Sequence, residues 1–200
     1  MKYVNYLSEG KDPKEWRGCL MLSFPEEISN AIQAWGKSKI SDDVLTDSGR
    51  ETYTHCTILY GFSQVTRFSD VQAYLENSLG LTDKKKLKVT LGEVKRFSCP
   101  DYDVIHIAVE NCMPLYEMHF ALKDKFHVKT SYATYNPHAT IAYVKKGACA
   151  ELDGVKLFAG LEIACDQITY STGPSEERTR TEINYESFKE RLRPSKAIPL

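Results

Sequence analysis

The stretches Thr54-His55-Cys56-Thr57-Ile58-Leu59-Tyr60 and Pro137-His138-Ala139-Thr140-Ile141-Ala142-Tyr143 decide how this chain folds. Counted from each histidine, the copies agree at His, Thr, Ile and Tyr, at offsets 0, +2, +3 and +5. Both are rich in β-branched and aromatic residues, and Gly61-Phe62 and Lys145-Lys146-Gly147 follow them. That composition predicts strands. Strand side chains alternate between faces, so His55 shares a face with Thr57, and His138 with Thr140. Ile58 with Tyr60 and Ile141 with Tyr143 turn the other way and are expected to bury against helices.

Placed side by side, two such strands gather two imidazoles and two hydroxyls around one small space. Imidazole titrates near neutrality, so one ring can be neutral while the other is protonated. A general base and a general acid are then available to one reaction. Threonine hydroxyls can donate to the non-bridging oxygens of a phosphate as charge builds up on them. A phosphodiester fits this set: two oxygens to hold, a nucleophile to deprotonate and a leaving oxygen to protonate. A lone His-x-Thr in a strand carries little information; two copies in a matching apolar frame carry much more. No metal or other cofactor is expected, because catalytic zinc takes three protein ligands and threonine is a poor one.

The paired His-x-Thr motifs resemble those of the 2H phosphoesterases, which include the RNA ligase and cyclic phosphodiesterase group related to LigT. The resemblance spans roughly residues 18–172. It implies an α+β fold of two related lobes, with antiparallel sheets flanked by helices around a central cleft. It also implies that His55, Thr57, His138 and Thr140 are the active-site quartet. The wording His55-Cys56-Thr57-Ile58-Leu59-Tyr60-Gly61 and Tyr135-Asn136-Pro137-His138-Ala139-Thr140-Ile141-Ala142-Tyr143-Val144-Lys145 is similar to the phage anti-CBASS branch. Members of that branch degrade cyclic oligonucleotide immune signals.

Two hundred residues suit one domain of two small fused lobes, 1–200, with a leader at 1–17 and a helix and tail at 183–200. With 42% apolar and 26% charged residues the chain has the make-up of a soluble protein. Met1 to Gly10 lacks the apolar core of a signal peptide, and no apolar run is long enough to span a membrane. A cytoplasmic location follows, that of the host cell if the chain is phage-encoded. Cys19, Cys56, Cys99, Cys112, Cys149 and Cys165 include no Cys-x-x-Cys pair and are expected to be reduced and mostly buried. The formal net charge is −1. Binders of long nucleic acids usually carry a broad basic surface, so the expected partner is a cyclic oligonucleotide or another small RNA-derived nucleotide. The oligomeric state is not legible.

Along the chain, Gly18 to Phe24 predicts a buried strand. Pro25 then opens a helix carrying Ile28, Ala31, Ile32 and Trp35 on one stripe. Residues 36–52 are polar and predict a loop whose Arg50 can contact phosphate; Asp42, Asp43 and Asp47 lack an ordered ligand spacing. Ser69 is expected to cap a second helix bearing Val71, Tyr74, Leu75 and Leu79. Leu87 to Phe97 and Asp103 to Val109 predict a hairpin, with His106 structural. Pro114 opens a third helix along Leu115, Met118, His119, Leu122 and Phe126, and His119 and His127 default to packing or surface roles. Ile163 to Tyr170 predicts one more strand, residues 174–182 a loop, and residues 183–192 a short helix. Tyr6 and Trp16 in the leader can stack on a nucleobase, and Tyr135 can touch a base or ribose. Against the enzymatic reading stands a binding protein that sequesters a nucleotide without turnover. A site retired in that way is expected to lose a motif histidine, and both are present.

Overall fold

The computed structural model describes residues 18–63, 65–79, 87–130, 134–165, 167–172 and 179–184. Nine strands make one curled, wholly antiparallel sheet: β1 Gly18–Ser23, β2 Leu45–Arg50, β3 His55–Phe62, β4 Leu87–Ser98, β5 Tyr102–Glu110, β6 His138–Lys145, β7 Glu162–Cys165, β8 Gln167–Thr172 and β9 Thr179–Asn184. Their order is β7-β4-β5-β6-β3-β1-β8-β9, with β2 also on β6. Among the described residues three α-helices accompany them, α1 Glu26–Lys39, α2 Phe68–Ser78 and α3 Met113–Lys125. The α+β class is as expected, and the two lobes are the two ends of this sheet. β4 to β7 form one end and β1, β3, β8 and β9 the other. Among the described residues they meet at one register pair, Cys56 opposite Ala139.

Two of the helices, α1 and α3, cross this seam. α1 follows β1, yet it packs on β6. A Cβ at Gly36 would lie 2.6 Å from Ile141 Cγ2, so only glycine lets helix and strand approach this closely. Conversely α3, which lies between β5 and β6, packs on β3. Glu26 and Glu27 in the first turn of α1 and Lys37 and Lys39 in its last complement the helix dipole. Leu20, Leu22, Ile32, Ile58, Leu115 and Ile141 are at most 3% exposed and form the core beneath the sheet. Ile58 and Ile141 bury as expected, whereas Tyr60 and Tyr143 stay half-buried.

Several elements differ from the sequence reading. α1 runs on to Lys39, and residues 45–50 form β2 rather than a loop, because its polar residues pair with β6. Gly49, at φ +65°, absorbs the irregular register there. Pro25 is the N-cap of α1 and not its first turn. Arg67, not Ser69, stands at the N-cap of α2. The single strand expected at 163–170 is two, β7 and β8, at opposite ends of the sheet. Residues 179–184 form β9 on β8, where a loop and the start of a helix were expected. The remainder of that helix, and the leader, lie outside the described residues. No disulfide forms; Cys56, Cys112 and Cys165 are buried, and the other three are partly so.

Candidate active site

The two motif strands are neighbours at the middle of the sheet. Cys56 faces Ala139 across them, and both are fully buried on the helix-covered face. Alternation puts His55, Thr57, His138 and Thr140 together on the opposite face. The antiparallel register sets Thr57 on the side of His138 and His55 on the side of Thr140. The four side chains therefore share one face of two adjoining strands. Cys56 packs away from it, and burial pushes its thiol up to about 12, so it is no nucleophile.

Each motif histidine is held in the same way. His55 Nδ1 lies 2.6 Å from the Tyr53 carbonyl and His138 Nδ1 2.7 Å from the Asn136 carbonyl, in both cases two residues upstream. A carbonyl can only accept, so the ring nitrogen donates, which places the proton on Nδ1 and leaves proton transfer to Nε2. Burial lowers the His138 pKa, the Asn136 carbonyl opposes this, and charge on His55 lowers it further. His138 is thus biased toward the neutral form.

Further residues brace the rings. Tyr53 stacks on His55 with centroids 5.8 Å apart, and its hydroxyl bonds to Ser23 and, at 2.8 Å, to Thr169. On the other side Phe97 meets His138 edge-on at 4.8 Å and stacks on His106 at 3.8 Å. His106 itself meets His138 at 5.1 Å. It is 3% exposed, and burial, assisted by charge on His138, pushes its pKa down to about 3. His106 is a packing histidine, as its sequence context suggested, but what it packs against is a motif ring. Tyr53 was legible in the alternation that links 53, 55 and 57. Phe97 carried no local signal, because only the β4–β5 pairing brings it alongside His106.

Both strands carry a β-bulge at the same motif position. In β3, Met21 pairs with Thr57 and Leu20 with Leu59, so Ile58 is the extra residue. In β6, His106 pairs with Thr140 and Ile105 with Ala142, so Ile141 is the extra residue. The isoleucine repeated at offset +3 is therefore the bulge residue of each strand.

The other candidate residues are Arg50, Tyr135, Tyr6 and Trp16. Arg50 hydrogen-bonds Asp42 and the Ile40 carbonyl, clamping the end of α1. It also lines a recess of about 150 Å³ beside Gln33, Gly36 and Thr54. Tyr135 sends its hydroxyl to the Thr57 carbonyl at 2.9 Å and stacks on His119 at 4.0 Å, which gives the phenol a partner within the protein. Tyr6 and Trp16 lie outside the described residues. Among the described residues no group of three His, Cys, Asp or Glu side chains gathers where it could hold a metal ion. No helix among them is long and apolar enough to cross a membrane.

Comparison with known proteins gives a family and a set of folds. The model of the 2'-5' RNA ligase superfamily matches residues 24–165. No curated protein matches the sequence. Among solved structures, E. coli LigT complexed with 3'-AMP is similar with a TM-score of 0.60 at 14% identity, over 85% of this chain and 96% of that one. A protein of Thermus thermophilus, TT0787, gives 0.57 at 15% identity, over 84% and 94%. Kluyveromyces marxianus Usb1 gives 0.52 at 11% identity, over 84% and 97%. At these identities the likeness is one of fold.

Proposed function

This chain belongs to the 2'-5' RNA ligase superfamily, and on that premise we propose that it is a phosphodiesterase acting on small nucleotides. The observation that carries the reading is the junction of β3 and β6. There two equivalently tethered histidines and two threonines share one face of the sheet. His138, biased toward the neutral form, is the base, and His55 the acid. His138 Nε2 takes a proton from water or a ribose 2′-hydroxyl, and that oxygen attacks phosphorus. The bond from phosphorus to the leaving oxygen breaks, and His55 gives that oxygen a proton. Thr57 and Thr140 donate to the non-bridging oxygens. Every proton is accounted for by the quartet, so turnover is expected to survive EDTA.

The proposed substrate is a 3′–5′ cyclic oligonucleotide, on the resemblance of the motif wording to the anti-CBASS branch. The alternative is a 2′,3′-cyclic phosphate at an RNA end, favoured by likeness in fold to LigT, a protein whose structure holds 3'-AMP. The test is mass spectrometry of products from cyclic di- and trinucleotides, 2′,3′-cyclic mononucleotides and 2′–5′ oligoadenylates. Linear products from the first group support the proposal, and turnover confined to the second supports the alternative. Tight binding with intact ligand recovered would replace both with sequestration.

A further inference from the structure

A bulge leaves strand carbonyls without their ladder partners, and buried carbonyls need replacements. Here the replacements come from the approach to the opposite motif and, in β3, also from α3. In β3, the Thr57 carbonyl accepts from the Tyr135 hydroxyl at 2.9 Å, and the Ile58 carbonyl lies 2.7 Å from His119 Nδ1. Tyr135 stands three residues before His138. In β6, the Ile141 carbonyl accepts from the Glu51 backbone N–H at 2.8 Å. Glu51 stands four residues before His55. Its carboxylate accepts from the Tyr53 N–H at 3.1 Å, and the Tyr53 carbonyl holds His55. The approach to each motif strand is thus fastened to the bulge of the other.

Resting on the phosphodiesterase reading, we propose that these crossed fastenings set the spacing of the two half-sites, with Tyr135, backed by His119, the positioning residue that fixes Thr57 relative to His138. The geometry suits that task. Tyr135 stacks on His119 with an interplanar angle of 10° and meets Tyr116 edge-on at 5.3 Å, so its ring has little freedom. Burial raises the phenol pKa, which keeps the hydroxyl a donor throughout the working range. Thr57 and Ile58 are consecutive, so two rings locked together grip two successive carbonyls of the strand that carries the threonine.

The test is a double-mutant cycle of Tyr135→Phe with Thr57→Val, assayed on the nucleotide that wild type cleaves in the panel above. Tyr135→Phe keeps the ring and its stacking and removes only the hydroxyl. The expected result is a fall in kcat of roughly 10–100-fold with KM within about twofold, since small misplacements of reacting groups are costly. In the Thr57→Val background the same change should cost less than about twofold, because its effect runs through Thr57. His119→Gln, whose amide can still reach a carbonyl, should retain more kcat than His119→Ala. A full loss persisting in the Thr57→Val background would overturn the proposal, as would a rise in KM at constant kcat, the mark of direct ligand contact. NMR supplies a readout independent of turnover: the Thr57 carbonyl carbon and methyl resonances should move in Tyr135→Phe. If they stay in place the brace is refuted. If they move in a protein that cleaves nothing, the phosphodiesterase reading alone falls.

Discussion

At the residue scale, acid and base are separable by the leaving group. On the natural phosphodiester, His55→Ala and His138→Ala should each lower kcat by about 10²–10⁴-fold, and Thr57→Val or Thr140→Val by about 10²–10³-fold. A p-nitrophenyl phosphodiester releases an anion that needs no proton. With that substrate His55→Ala should recover most of its activity, while His138→Ala should remain as impaired as before; the reverse pattern would exchange the two roles. His106 makes a separate prediction for stability. Its pKa is pushed down to about 3 in the fold, against an ordinary value of 6.5. Above pH 6.5 neither folded nor unfolded chain binds a proton there. Below it the unfolded chain does and the folded one does not, so stability falls until the folded group also protonates near pH 3. The slope from this one group is at most about 1.4 kcal/mol per pH unit. Urea titrations between pH 7 and pH 4.5 should show a shallower loss in His106→Gln than in wild type.

At the element scale, the β4–β5 hairpin and the turn after β6 share one buried carboxylate. Asp103 is fully buried, with Arg96 at 3.0 Å, Lys146 at 3.2 Å and the Gly147 N–H at 2.8 Å. Burial alone would raise its pKa, but the Gly147 N–H and the two cations outweigh it and hold the group ionised. Removing one partner of a deeply buried ion pair costs about 3–5 kcal/mol. Here both cations are partly exposed, so water can take over part of the carboxylate's role. Asp103→Asn, which keeps an acceptor for Gly147, is therefore expected to cost about 1–3 kcal/mol by denaturant titration. β2 illustrates why some elements escape a local reading. Thr46-Asp47-Ser48-Gly49 has the composition of a turn, and it becomes a strand only because β6 offers an edge to pair with.

At the scale of the whole molecule, the crossed helices forbid independent halves. Without β6, α1 loses the strand against which Gly36 packs, and without β3, α3 loses the strand beneath His119. The protein should therefore unfold in one transition. Far-ultraviolet circular dichroism and tryptophan fluorescence should give coincident denaturation curves; separated curves would mean that the lobes are autonomous.

The sequence by itself determined the local setting of the two motifs. His-x-Thr in a two-residue period, flanked by β-branched residues, places imidazole and hydroxyl on one strand face wherever that strand lies. The repeat also marked the isoleucines that bulge, though not that they would. Tertiary structure alone decided that the motif strands adjoin, that Phe97 and His106 stand against His138, and that Tyr135 serves Thr57 through its carbonyl. The physical reason is range. Side-chain alternation depends on neighbouring residues, whereas strand pairing, bulge register and the burial that depresses a histidine pKa depend on contacts between residues far apart in the chain.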